Sequence, residues 1–244
     1  MRISRVYVGD ELWVGAAITL DRAASHYLKQ VLRLKSGAAV VLFNGIDGRD
    51  YTGIVNVDGK LVRVNIEKST GVRAESAVKS EILLGLSRSD HIDWTIQKTT
   101  ELGVNRISLF NAERTQSHLQ AAQLEKKLAH WRTVAISACE QCGRALVPEI
   151  KFYPGLETAL EACANKRRVL LDFDGPVFPG LLQSESSNGI SILLGPEGGL
   201  SEAEINCARQ SGFAAANLGP RVLRTETAAV VALAIVQATI GDLR

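Results

Sequence analysis

At 244 residues, 46% hydrophobic and 22% charged, the chain is long enough to bury one large core or two smaller ones, and its composition is that of an ordinary globular protein. A net charge of +2 does not by itself mark a nucleic-acid binder, and no apolar run reaches the roughly eighteen residues of a membrane helix. Met1-Arg2-Ile3-Ser4-Arg5 leads into a strand pattern with no signal-peptide core, so a cytoplasmic protein is expected.

From Val6 to about Gly71, short alternating runs are punctuated by turn residues. Val40 to Phe43 is followed by Asn44-Gly45 and Asp47-Gly48, Tyr51 to Val57 by Asp58-Gly59, and then comes Leu61 to Ile66. Alternation broken by N-G and D-G pairs is the hairpin signature. One short helix is expected near Ala23 to Leu32, with His26, Lys29 and Arg33 at helical spacing. A small β-barrel of about seventy residues results. Residues 1–72 hold ten Lys and Arg against seven Asp and Glu, a modest positive excess that fits contact with RNA only weakly. The polar stretch Ser69 to Lys79 has no apolar period and reads as a linker.

After it the pattern changes. Strand-like runs at Glu81 to Leu86, Ile107 to Phe110, Glu149 to Phe152, Arg168 to Phe173, Ile190 to Leu194 and Phe213 to Leu218 alternate with helical stretches. That predicts an α/β domain with a mostly parallel sheet. A first helix runs from Asp90 as N-cap to Leu102, with Gly103 past its end. The longest helix repeats Leu124, Leu128, Trp131, Ala135, Ala138 and Cys142 as its buried stripe. Ser201-Glu202-Ala203-Glu204 reads as a capping box. A last helix opens at Thr225 or Glu226 and is apolar all round from Ala228 to Val236, so it needs cover on every side, from the sheet and from a second subunit.

Two small-residue loops stand about twenty residues apart, Leu193 to Gly199 and Leu218 to Ala228, each after an apolar run and before a helix. They are either tight connections or ligand loops. As ligand loops they disfavour phosphate, because Glu197 sits inside the first and Glu226 just after the second. An uncharged or cationic, mostly flat guest suits them better. Neither G-x-x-x-x-G-K-[ST] nor G-x-G-x-x-G occurs. Cys139-x-x-Cys142 lacks a second ligand pair and reads as two reduced thiols, and His26, His91, His118 and His130 form no metal-ligand spacing; no metal is expected. Glu140, Gln141 and Arg144 gather on one helical turn before Val147-Pro148, either as a solvated ion pair or with Arg144 as an anion contact. Arg221 and Arg224 are surface charge or anion contacts beside an apolar pocket.

Gln97 to Val104, Ala138 to Arg144 with Val147-Pro148, Leu194 to Gly199, and Leu218 to Ala228 together closely resemble the ribosomal RNA small subunit methyltransferase E family, and the resemblance runs the length of the chain. It implies a PUA-like β-barrel RNA-binding domain over 1–72 and a SPOUT methyltransferase domain with a C-terminal trefoil knot over 73–244. It further implies a homodimer that methylates N3 of a uridine in 16S ribosomal RNA, within the small ribosomal subunit, using S-adenosyl-L-methionine. The cofactor would be held by Leu171, by Leu194, Gly195, Pro196, Glu197, Gly198 and Gly199, and by Leu218, Gly219, Val222, Leu223, Arg224, Thr225, Thr227 and Ala228. Uracil N3 is a poor nucleophile until its proton leaves. Arg144 and Arg224 are therefore expected to stabilise the resulting anion or hold a neighbouring phosphate, with Glu140 or Glu226 as base. Arg2, Arg5, Lys29 and Arg33 are the expected RNA contacts, with a solvated face as the other reading of Lys29 and Arg33. Competing functions are a SPOUT methyltransferase acting on transfer RNA or a ribose 2′-OH, and a non-catalytic RNA-binding or assembly protein.

Overall fold

The computed structural model describes residues 3–71, 74–116, 118–182 and 189–243. It divides into two compact units, Met1–Glu75 with Cys139–Val147, and Ser76–Ala138 with Pro148–Arg244.

In the first unit β1 (Arg5–Tyr7), β2 (Ala17–Thr19), β3 (Ala39–Phe43), β4 (Arg49–Asp58) and β5 (Leu61–Gly71) form one sheet in the order β1-β3-β4-β5-β2. All neighbours are antiparallel except β1 and β3. Inward positions alternate along β4 and β5, and Val40, Leu42, Val55, Val62 and Val64 meet Leu28 in a core closed to solvent. The expected helix begins as α1 (Arg22–His26), capped by Asp21, whose carboxylate accepts the Ala24 N–H at 2.7 Å, and continues as a π-helical turn over Tyr27–Val31. Arg33, at φ 53°, already lies in left-handed backbone beyond the helix end, so it does not share a helical face with His26 and Lys29.

The linker expected from Ser69 starts too early. β5 continues to Gly71, paired with Arg49, and it escapes a period-two reading because burial stops alternating after Ile66. The segment from Cys139 to Val147 also belongs to this unit. Leu146 bridges to Gly45, the Val147 N–H donates to the Gly45 carbonyl at 3.0 Å, and Cys139 and Ala145 pack on Phe43.

The second unit holds β6 (Ser80–Gly85), α2 (Ser89–Glu101), β7 (Arg106–Phe110), most of α3 (Ala121–Cys142), β8 (Glu149–Tyr153), α4 (Leu156–Glu161), β9 (Arg167–Leu171), β10 (Ile190–Leu194), α5 (Glu202–Gln210), β11 (Ala214–Ala216) and α6 (Thr225–Thr239). Every strand pairing is parallel, in the order β11-β9-β10-β6-β7-β8. The central strands β6 and β10 are buried at every position, as expected of strands covered on both faces. This is the α/β, mostly parallel class that the alternating runs predict. The helix α2 starts two residues earlier than expected: Arg88 is the N-cap and Asp90 sits in the first turn, where a carboxylate favours the positive end of the helix dipole. Gly103 follows the C-cap Leu102 at φ 84°, a conformation that suits glycine and ends the helix.

Burial pushes the Cys139 thiol up to about 12. At pH 8 about one Cys139 in ten thousand would then be thiolate, the form that alkylating agents attack. In the native protein iodoacetamide should label the half-buried Cys142 and spare Cys139 until denaturant is added, as read by peptide mass spectrometry.

Candidate functional site

The carboxyl ends of β9, β10 and β11 open on a common cavity of about 310 Å³, walled by Leu171 to Phe173, Leu194 to Glu197, Gly199, Leu200 and Asn217 to Gly219. Leu170, Ile205, Ala216, Arg221, Val222, Leu223, Thr225 and Ala228 complete it. It lies on the side of the sheet away from β7 and β8, since the chain builds those two strands outward on one side of β6 and then returns to set β10, β9 and β11 on the other.

The first loop is packed too tightly for side chains. A Cβ on Gly195 would lie 2.9 Å from both the Gly199 carbonyl carbon and the Leu200 nitrogen, and one on Gly85 would lie 2.7 Å from the Pro196 nitrogen. Its far end is held by the capping box. The Ser201 hydroxyl accepts from the Glu204 N–H at 3.2 Å, and the Glu204 carboxylate accepts from the Ser201 N–H at 2.8 Å and the Glu113 N–H at 3.0 Å. The Arg114 guanidinium reaches the Gly198 carbonyl at 3.3 Å. The second loop is fastened through Asn217, whose carbonyl accepts the Phe178 N–H at 2.9 Å, whose side-chain oxygen accepts the Gly219 N–H at 3.0 Å, and whose amide donates to the Gly175 carbonyl.

Half of the lining residues are leucine, glycine or proline; Asp172 and Glu197 supply carboxylates and Arg221 a guanidinium, with no lysine among the described residues. Glu226 stands just beyond, in the first turn of α6, with its side chain 12% exposed. A flat apolar ring can lie among the leucines, backbone polar groups of the loops can fix its edge, and the acids favour positive charge over phosphate.

The RNA methyltransferase domain family matches residues 74–237, and the RNA methyltransferase PUA domain family matches residues 20–67. The chain is 32% identical to the ribosomal RNA small subunit methyltransferase E of Buchnera aphidicola over 99% of this chain and 98% of that protein. It is 27% identical to the Bacillus subtilis protein of the same name, over 86% of each. The chain belongs to the ribosomal RNA small subunit methyltransferase E family. A crystal structure of such an enzyme from Neisseria gonorrhoeae, bound to S-adenosylmethionine, superposes with a TM-score of 0.89 at 31% identity over the whole of both chains. A Legionella pneumophila protein in complex with the same cofactor superposes at 0.92, with 33% identity and full coverage of both.

The structure sorts the residues expected from sequence. Leu171, Leu194, Gly195, Pro196, Glu197, Gly199, Leu218, Gly219, Val222, Leu223, Thr225 and Ala228 all line the cavity; Gly198, Arg224 and Thr227 are adjacent in the chain but not on its wall. Asn217 was missed, although an asparagine before Leu218-Gly219 is a recognisable turn former.

Arg144 and Glu140 do not line the cavity. Both are absorbed within the first unit. Arg144 is 2% exposed, and its Nε and terminal nitrogen each lie 3.0 Å from Glu75 Oε2. The other Glu75 oxygen accepts the Ala145 and Leu146 N–H groups at 3.0 and 2.9 Å. Glu140 accepts the Tyr7 N–H at 3.0 Å; burial pushes its carboxyl up, with the Tyr7 bond and the nearby Arg5 opposing. Arg5 is likewise taken up internally, on Asp50 at 2.6 Å and the Cys139 and Arg144 carbonyls at 2.7 and 3.1 Å, with its guanidinium over the Phe43 ring. A cation so enclosed is not presented to an RNA phosphate. Lys29 donates to the Gly59 carbonyl at 2.6 Å, Arg33 is exposed, and Arg2 lies outside the described residues.

Removing one partner of a buried ion pair leaves the other's charge uncompensated, at a cost of about 3–5 kcal/mol. Arg144→Ala should therefore lower unfolding free energy by about 3 kcal/mol in urea titrations. A loss under about 0.5 kcal/mol, the scale of an exposed pair, would show that Glu75 and Arg144 do not hold the 139–147 segment.

Proposed function

We propose that the protein transfers a methyl group from S-adenosylmethionine to N3 of a uridine in 16S ribosomal RNA. The observation that carries this reading is the cavity itself: two glycine-rich loops at the ends of parallel strands, apolar walls, and two acids against one arginine among the described lining residues, in a family whose Neisseria member is solved with that cofactor. S-adenosylmethionine supplies an electrophilic methyl on a cationic sulfur. Leu171, Leu194 and Leu223 would cover its flat apolar part, the 195–199 loop would offer backbone groups to its polar edge, and Glu197 would face its positive charge.

For the acceptor, the residues that remain after Arg144 and Glu140 are assigned to the first unit are Arg224 and Glu226, the N-cap and first-turn acid of α6. Glu226 is the base that removes the N3 proton. Arg224, exposed beside it, stabilises the negative charge that spreads to the flanking carbonyls or holds the adjoining phosphate. Positioning the two reactants in line contributes the rest of the rate. Substrate grip falls to the first unit, where Lys29 and Arg33 contact RNA.

A homodimer is part of the proposal. Val230, Val231, Ala234 and Ile235 of α6 remain half-buried while Ala229, Ala232, Leu233 and Val236 are fully covered, and Trp94 on α2 is 41% exposed. That leaves an apolar flank for a second copy.

Tritium from labelled S-adenosylmethionine should enter small-subunit RNA and map to 3-methyluridine after nucleoside digestion. Label in transfer RNA or in a 2′-O-methyl nucleoside would replace this substrate with another, and no label from a folded dimer would favour an RNA-binding protein without catalysis. Glu226→Gln should reduce the single-turnover rate by about 10²–10⁴ at saturating cofactor, the usual weight of a positioned base. A rate within about threefold of wild type removes Glu226 from that role.

A further inference from the structure

His91 stands in the first turn of α2, 106 positions before Glu197, and its Nδ1 faces two carboxylates, one from the first loop and one from the opening turn of α6. Glu197 Oε1 lies 3.0 Å away and Glu226 Oε2 3.6 Å away. The other ring nitrogen is 3.9 Å from Asp90 Oδ2, and Asp90 in turn pairs with the Arg88 guanidinium at 3.2 Å. Glu226 Oε2 is closed to solvent and has no hydrogen-bond partner among the described residues, so the ring edge is its polar neighbour. Glu197 Oε1 also receives the Arg88 N–H at 3.4 Å, and the N-cap Arg88 supplies no side-chain cap of its own. The first-loop acid thus closes the end of α2, and the imidazole stands between it and the acid of α6.

We propose that His91 is a positioning residue that fixes Glu197 and Glu226 relative to each other, so that the first loop and the opening turn of α6 form one wall of the cofactor cavity. The inference rests on the cavity's being the S-adenosylmethionine site. Without the ring, two carboxylates meet in a half-buried space with neither donor nor positive charge between them, and their repulsion pulls the loop from the helix. With it, Nδ1–H donates to Glu197 and the ring edge stands between that acid and Glu226.

The test is calorimetric binding of S-adenosylmethionine to the full chain without RNA, in wild type and in His91→Leu, His91→Ala and His91→Lys. His91→Leu should weaken binding about tenfold, the order of one charge-assisted hydrogen bond. His91→Lys, which returns a cation and a donor, should recover most of it. In a Glu197→Gln background His91→Leu should cost much less, because the repulsion it would release is already gone. If the leucine variant fails to fold, as judged by its melting transition, His91→Ala carries the same comparison, since it too leaves neither donor nor charge. Affinity of the leucine and alanine variants within about twofold of wild type, or a lysine variant no tighter than the leucine one, overturns the role. A wild type that itself binds no S-adenosylmethionine overturns instead the reading of the cavity, and the role with it, a result distinct from tight binding by every variant.

Discussion

The second unit depends on one constraint: β10 must lie in register between β6 and β9, buried on both faces. Ile190 to Leu194 pairs residue for residue with Ser80 to Leu84, while Ile190 to Leu193 pairs with Arg167 to Leu170 on the other side. The alignment sets the ends of three strands level, and the level ends determine where the loops emerge. It also explains a buried acid. Glu81 of β6, 3% exposed, receives the Ser108 hydroxyl from β7 at 2.7 Å and the Ser191 hydroxyl from β10 at 2.8 Å, so one carboxylate ties three neighbouring strands together. A slip of one residue would turn these serines to the opposite face and leave the carboxylate buried and unsatisfied.

The first unit is organised differently, around charges turned inward. Arg5 and Arg144 are both enclosed, and each satisfies backbone carbonyls or carboxylates in a segment far from it in sequence. Guanidinium suits this because its fixed fork of donors can serve several acceptors at once. Here arginine does the work of a fastener, and the exposed basic groups that remain for a polyanion are fewer than the composition implies.

Much of this architecture is legible in the sequence, and the reasons are local. Ile190 to Leu194 and Ile107 to Phe110 read as buried strands because short runs that are apolar but for one serine each fit a strand covered on both faces; Ser201 to Glu204 reads as a cap because both its bonds close within four residues. The two glycine-rich loops are visible for the same reason. What fails is long-range. Glu75 sits in a stretch without periodicity and reads as linker, yet it is the partner of Arg144, 69 residues on. Arg144 read by itself is an ion-pair or ligand residue; nothing in its neighbourhood tells that it is buried. His91 shows no motif spacing, since its partners lie more than a hundred residues away, and only the packing of α2 against α6 brings them together.

The return of Cys139–Val147 to the first unit bears on how the chain comes off the ribosome. A unit whose sheet is encoded by the first 71 residues cannot bury Phe43, pair Glu75 or cover Cys139 until residue 147 has been made. Between those two moments β6, α2, β7 and most of α3 are already synthesised, and their apolar strands wait for β10, which comes later still. Neither unit can therefore finish before the other has begun. The nascent chain carries two incomplete cores at once, the circumstance in which exposed strand edges are most prone to mispair.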